Sequence, residues 1–171
     1  MTTATAIFEL HDEQAQVAFG ARLAEALGFL GIVYLSGELG AGKTTLARGA
    51  LRALGHEGAV RSPTYTLVEP YKPGGERVVY HFDLYRLGDP EELEFIGARD
   101  MLAEPSLALI EWPQRGAGWL PAADVTVTLT VDGAGRRARL SATGERGRAA
   151  LAGLATVGTE NVKLISREVT P

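Results

Sequence analysis

With 171 residues and no cysteine, the chain fits a single domain and excludes disulfides, thiolate metal sites, iron–sulfur clusters and cysteine nucleophiles. Its 17 basic and 21 acidic residues leave a net charge of −4, which argues against a free-standing DNA or RNA binder. Apolar and charged contents of 46% and 22% are those of a soluble globular protein, whereas the 21 glycines are well above the usual share of about 7%.

The stretch Met1–Leu10 has no basic segment and is interrupted by Glu9, so it does not read as a secretory signal. The longest apolar run, Ala26–Leu35, contains two glycines and falls short of the roughly 20 residues that cross a membrane. The expectation is a cytoplasmic protein with no membrane attachment. Asp12–Leu27 reads as an amphipathic helix, with Val17, Ala21, Ala24 and Leu27 on one stripe and Gly28 as C-cap. Ile32–Leu35 is a short buried strand, Ser36–Gly42 a glycine loop, and Lys43–Leu54 a helix closed by Gly55. Thr64–Tyr71 and Arg77–Asp83 read as strands joined by a turn over Lys72–Gly75. Asp89 and Pro90 open a helix toward Ile96, a cap followed by proline at the first helical position, and a second helical piece runs to Leu102. Leu107–Glu111 is a buried strand, and Val125–Val131 with Arg136–Ala142 forms a hairpin over Asp132–Gly135. The arginines of that hairpin, Arg136, Arg137 and Arg139, read as a solvated sheet edge. After Gly144 the composition predicts a short surface helix (Ala149–Ala155) and a loosely held tail. Strands alternating with helices give a single-domain α/β layer fold over residues 1–144, with 145–171 appended. Its central sheet is expected to be mixed, mostly parallel and flanked by helices.

Gly37–Thr44 matches G-x-x-x-x-G-K-[ST] in full, with an apolar strand before it and a helix after it. Glycines let the backbone curl until successive N–H groups point at phosphate oxygens, and the helix N-terminus adds partial positive charge. The nucleotide-binding set is therefore Gly37, Glu38, Leu39, Gly40, Ala41, Gly42, Lys43, Thr44 and Thr45. Lys43 reaches the β- and γ-phosphates and the Thr44 hydroxyl is suited to Mg²⁺. The guanine-reading Asn-Lys-x-Asp motif is missing, since the one asparagine, Asn161, precedes Val-Lys-Leu, so ATP is the expected nucleotide. His11, beside the Asp12 helix cap, is a candidate for the base pocket.

Two acids end apolar runs, Asp83 after Val78–Phe82 and Glu111 after Leu107–Ile110. An unpaired charge is costly there, which calls for a cation or a basic partner. His81 shares a strand face with Asp83 and reads as a packed or hydrogen-bonded histidine. Ser62–Thr66 is a strand entry or a loop that senses the γ-phosphate.

Four blocks, Gly37–Thr45, Ser62–Val68, His81–Leu87 and Ile110–Pro113, resemble the signature segments of the TsaE family, in the same order and over roughly residues 8–140. The resemblance implies a small P-loop fold and an Mg²⁺-dependent ATPase that acts with TsaD and TsaB in making threonylcarbamoyladenosine in tRNA. It further implies Thr44 and Glu111 as the metal positions, Asp83 as the acid required for hydrolysis, Ser62–Thr66 with Thr64 as a switch-like loop, and Trp112 against the nucleotide. Lys43 and Asp83 are the expected catalytic pair, and tRNA is reached only through the partners. Arg86 is a candidate arginine finger or a surface residue; without a finger in cis, turnover is slow and partner-stimulated. The alternatives are a small P-loop kinase and a nucleotide-gated binding module that needs no hydrolysis.

Overall fold

The computed structural model describes residues 2–156 and 161–171. In chain order these form β1 (Thr3–Leu10), α1 (Glu13–Ala26), β2 (Gly31–Ser36), α2 (Lys43–Leu54), β3 (Val68–Tyr71), β4 (Val79–Asp83), α3 (Glu92–Phe95), α4 (Ala98–Ala103), β5 (Leu107–Glu111), a 3₁₀ turn (Pro113–Gly116), β6 (Val125–Asp132), β7 (Gly135–Ala142), α5 (Glu145–Ala155) and β8 (Val162–Thr170). The strands join in one mixed sheet ordered β3-β4-β5-β2-β6-β7-β1-β8. Its centre, β4, β5, β2 and β6, is parallel, while β3 and the run β7, β1, β8 add antiparallel flanks. Every residue of β4 and β5 is buried, as expected for parallel strands covered on both faces.

Alternate strand residues feed two cores. Val33, Leu35, Val79, Leu107 and Leu109 pack with Phe19, Leu23, Leu46 and Leu51 of α1 and α2. Tyr80, Phe82, Ala108 and Ile110 pack with Leu93 and Ala98 on the opposite face. With a period of two, His81 and Asp83 share the α2 side with Val79, and Glu111 shares it with Leu107 and Leu109. That parity sends the chemistry-bearing side chains to the face where α2 begins.

Two glycines let α1 and α2 touch backbone to backbone. A Cβ at Gly20 would lie 2.0 Å from the Leu46 carbonyl oxygen, and one at Gly49 would lie 1.9 Å from that of Val17. The buried stripe of α1 is Ala15, Gln16, Phe19, Gly20, Leu23 and Ala24, so Val17 and Ala21 stand at its margin instead of its centre. The alanines of this helix make two adjacent stripes equally apolar, and the bulk of Phe19 and Leu23 decides between them. Asp12 caps α1 through Oδ1, which accepts from the Ala15 N–H at 2.8 Å. Gly28 follows the helix at φ 63°.

Several segments differ from the sequence-based expectation. β1 was not predicted; its inward residues Ala4, Ala6, Phe8 and Leu10 alternate, but two of the four are only alanine. The strand expected from Thr64 starts at Val68, because Thr64–Thr66 form a turn in which the Thr64 hydroxyl binds Asp83 and the Tyr65 ring meets Arg86. Residues 145–171, expected as a helix and a tail, contribute α5 and an edge strand, β8, paired antiparallel to β1. The hairpin arginines are not on a sheet edge, because β7 pairs with β6 on one side and β1 on the other. Among the described residues no helix is long and apolar enough to cross a membrane.

Candidate functional site

A cavity of about 490 Å³ opens where the parallel strands end and α2 starts. It is lined from the glycine loop and α2 by Leu39, Gly40, Gly42, Lys43, Thr44 and Thr45, and from the strand ends by Ser62, Thr64, Asp83, Tyr85, Glu111 and Trp112. Glu13 and Gln16 of α1 and Ala134 and Arg136 of the β6–β7 hairpin close the far side.

The loop needs its glycines for two separate reasons. Gly37, Gly40 and Gly42 adopt φ of 145°, 80° and 106°, a region that side chains disfavour. At Gly37 there is also no room, since a Cβ would lie 2.7 Å from the Leu129 carbonyl oxygen, whereas nothing lies within 4 Å of one at Gly40. Gly42 caps α2 without a side chain, which leaves the first N–H groups of the helix facing the cavity, where an anion is favoured.

Lys43 lies folded over this loop. Its Nζ donates to the carbonyl oxygens of Gly37 (2.5 Å) and Glu38 (2.8 Å) and sits 4.4 Å from the centre of the Trp112 ring. An ammonium has three donors, so one remains for a ligand. Burial pulls the Lys43 pKa below its ordinary value, against the pull of Glu111 and Asp83 in the other direction. Trp112 reaches this position because its backbone is left-handed (φ 57°, ψ 50°), which turns the ring back between Lys43 and Tyr85.

The two acids face one another across the β4–β5 register. Glu111 accepts from the Thr44 hydroxyl (3.0 and 3.2 Å to its two oxygens) and lies 2.6 Å from His81 Nε2. A hydroxyl and a carboxylate oxygen side by side are hard ligands, and Mg²⁺ is ordinarily held by one or two such groups plus substrate phosphates. Among the described residues no group of three or more His, Asp or Glu gathers as an all-protein metal cage. Asp83 is spent differently. Oδ2 accepts from the hydroxyls of Ser62 and Thr64, the latter at 3.1 Å, and Oδ1 from the Tyr85 N–H at 3.0 Å. It thereby ties the Ser62–Thr66 loop to the end of β4.

The structure brings Leu39, Gly40, Gly42, Lys43, Thr44, Thr45, Thr64, Asp83, Glu111 and Trp112 to one cavity. Gly37, Glu38 and Ala41 shape the loop behind it, two by receiving Lys43 and Ala41 by receiving Arg136. His11 is not in the cavity; it borders a neighbouring hollow with Glu9 and Asp132, and its N–H donates to the Asn161 carbonyl. Arg86 stacks on Tyr65, 4.4 Å from the ring centre, and is not among the lining residues. Sequence reasoning missed Glu13, Gln16, Tyr85, Ala134 and Arg136. Arg136 is the clearest loss: Nε donates to the Ala41 carbonyl (2.8 Å) and Nη2 to that of Gly40 (3.1 Å), a contact between segments far apart in the chain.

A family model described as threonylcarbamoyl adenosine biosynthesis protein TsaE matches residues 10–139, a span that holds every lining residue named above. The chain is 54% identical over 123 residues to the tRNA threonylcarbamoyladenosine biosynthesis protein TsaE of Haemophilus influenzae, covering 69% of this chain and 77% of that protein. The protein of the same name from a Nostoc species is 36% identical over 137 residues, 78% of this chain and 82% of that one. Among solved structures, YdiB of Bacillus subtilis superposes with a TM-score of 0.72 at 23% identity, covering 89% of this chain and 95% of the other, a likeness of fold.

Proposed function

Since the chain belongs to the TsaE family of tRNA threonylcarbamoyladenosine biosynthesis, we propose that it binds ATP with Mg²⁺ and hydrolyses the γ-phosphate as a step of that pathway, in the cytoplasm and in company with TsaD and TsaB. The observation that carries the reading is the meeting of the Thr44 hydroxyl and the Glu111 carboxylate at 3.0 Å, beside Lys43 at the open end of α2.

In this reading the N–H groups of the loop and of the first turn of α2 receive the phosphates, and the free donor of Lys43 reaches the β- and γ-oxygens. Thr44 and Glu111 hold the metal, which when bound neutralises charge building on those oxygens. Asp83 sets the Ser62–Thr66 loop against the γ-phosphate and, through it, orients the attacking water. Arg86 stacks on Tyr65 and is not among the lining residues, and Arg136, which does line the cavity, is engaged with the Gly40 and Ala41 carbonyls; without a finger in cis, intrinsic turnover is slow and a group brought by TsaB–TsaD accelerates it. The acidic net charge supports contact with tRNA through those partners and not directly.

The test is ATP turnover with and without the TsaB–TsaD complex, for the parent chain and for Lys43→Ala and Asp83→Ala. Stimulated turnover is expected for the parent chain alone, with Asp83→Ala still binding ATP. Parent-like hydrolysis by Lys43→Ala refutes the mechanism. Full pathway function in Asp83→Ala without hydrolysis identifies a nucleotide-gated module, and ADP release only with a small phosphoryl acceptor identifies a kinase.

A further inference from the structure

His81 has no part in the mechanism above, yet it is fully buried beside it. Its ring sits on the α2 side of β4, two residues before Asp83 and opposite Leu109 of β5. Nε2 lies 2.6 Å from Glu111 Oε2, while Nδ1 is buried with no hydrogen-bond partner. With Nδ1 bare, the neutral tautomer that carries its proton on Nε2 satisfies the one polar contact the ring makes, and it donates to the carboxylate.

The carboxylate needs such a hold. Glu111 ends its strand beside Lys43, whose ammonium it attracts, and no hydrogen bond joins the two in the structure. Lys43 is bonded to the loop carbonyls instead. A carboxylate free to turn would close on the ammonium, taking both groups out of use in one ion pair. The bond from Nε2 holds Oε2, while the Thr44 hydroxyl lies 3.0 and 3.2 Å from Oε2 and Oε1, and both Thr44 and Glu111 line the cavity.

Resting on the reading of Thr44 and Glu111 as a divalent-metal pair, we infer that His81 is a positioning residue: its Nε2–H fixes the Glu111 carboxylate in the orientation that accepts the metal and keeps it off Lys43. Groups in this position are worth about 10–100-fold in metal affinity.

The distinguishing variants are His81→Gln and His81→Asn. Both place a neutral amide in the buried site, but only the longer glutamine carries its N–H to the place of Nε2. Mn²⁺ binding to the ADP complex, read by electron paramagnetic resonance without turnover, is expected to weaken about tenfold or more in His81→Asn and to stay within about threefold of the parent in His81→Gln. Binding of metal-free ADP, which relies on the loop and Lys43, is expected to match the parent in His81→Gln and to weaken in His81→Asn, where Glu111 is free to close on the ammonium, while a parent-like far-UV circular dichroism spectrum and Tm report that both variants are folded. Parent-like Mn²⁺ affinity in His81→Asn, or equal losses in both variants, overturns the positioning role while leaving the nucleotide reading intact. A parent chain that binds ADP but shows no nucleotide-linked Mn²⁺ site overturns the metal pair itself, and the inference with it.

Discussion

Gly49→Ala separates two effects of opposite sign. In a helix interior, alanine is favoured over glycine by about 0.8–1 kcal/mol, so propensity alone predicts a more stable protein. The structure predicts the reverse, because the new Cβ would lie 1.9 Å from the Val17 carbonyl oxygen and 2.7 Å from its carbon, both backbone atoms of α1 that cannot swing away. Relief requires α1 and α2 to separate by more than an ångström, and forced overpacking of this kind costs about 1–3 kcal/mol, occasionally more. The clash falls between backbones, which puts it at the upper end, so the net loss is about 2 kcal/mol. For a chain of this length that lowers Tm by about 4–8 °C. Gly153 in α5 supplies the internal control, since a Cβ there finds only the Ala26 methyl at 4.0 Å. Gly153→Ala is expected to raise Tm by about 2–4 °C. Thermal unfolding followed by far-UV circular dichroism reads both. A Gly49→Ala protein as stable as the parent, or more so, would refute the backbone contact between α1 and α2.

Arg136→Ala removes the two bonds to the Gly40 and Ala41 carbonyls and is expected to weaken ADP binding about tenfold, measured by calorimetry, with Tm changed by only a few degrees. Tyr80, whose hydroxyl donates to Glu104, has its pKa pushed up to about 12 by burial first and by Glu104 second. The folded state holds this proton more tightly than the unfolded chain, so the stabilisation is complete below about pH 10 and is lost as pH rises toward 12. Urea unfolding at pH 9 and 11.5 is expected to show a smaller loss in Tyr80→Phe than in the parent.

The glycine loop, its strand and its helix were legible because their signals are local: a fixed spacing of glycines, an apolar run and a capped periodic segment. The acids at the ends of β4 and β5 were legible for a related reason, because a charge directly after a buried run has few tolerable explanations. The remaining lining residues were hidden by the absence of a local signal. Arg136 sits among other arginines in a hairpin, and only the sheet order carries it to the loop. Gln16 reads as an ordinary polar position of a surface helix until the Gly20 and Gly49 contacts press α1 onto α2. The edge strand β8 has Leu164, Ile165 and Val169 partly exposed and only Val162 buried, so it lacks the alternation by which a half-buried strand is recognised.

The tight turn between β6 and β7 has a bearing on how this sequence can change over evolution. Only Gly133 and Ala134 separate the two strands, and Asp132 pairs with Gly135 across the turn. Side chains alternate along a strand, so losing or gaining one residue there would slip the register and send Arg136 to the opposite face of the sheet. Insertions are far easier to absorb between the Pro113–Gly116 turn and Val125, where the chain runs free of strand pairing. The cavity therefore limits changes in chain length at a hairpin that contains none of the motif residues, and the length of this turn can be expected to vary less among descendants than its composition.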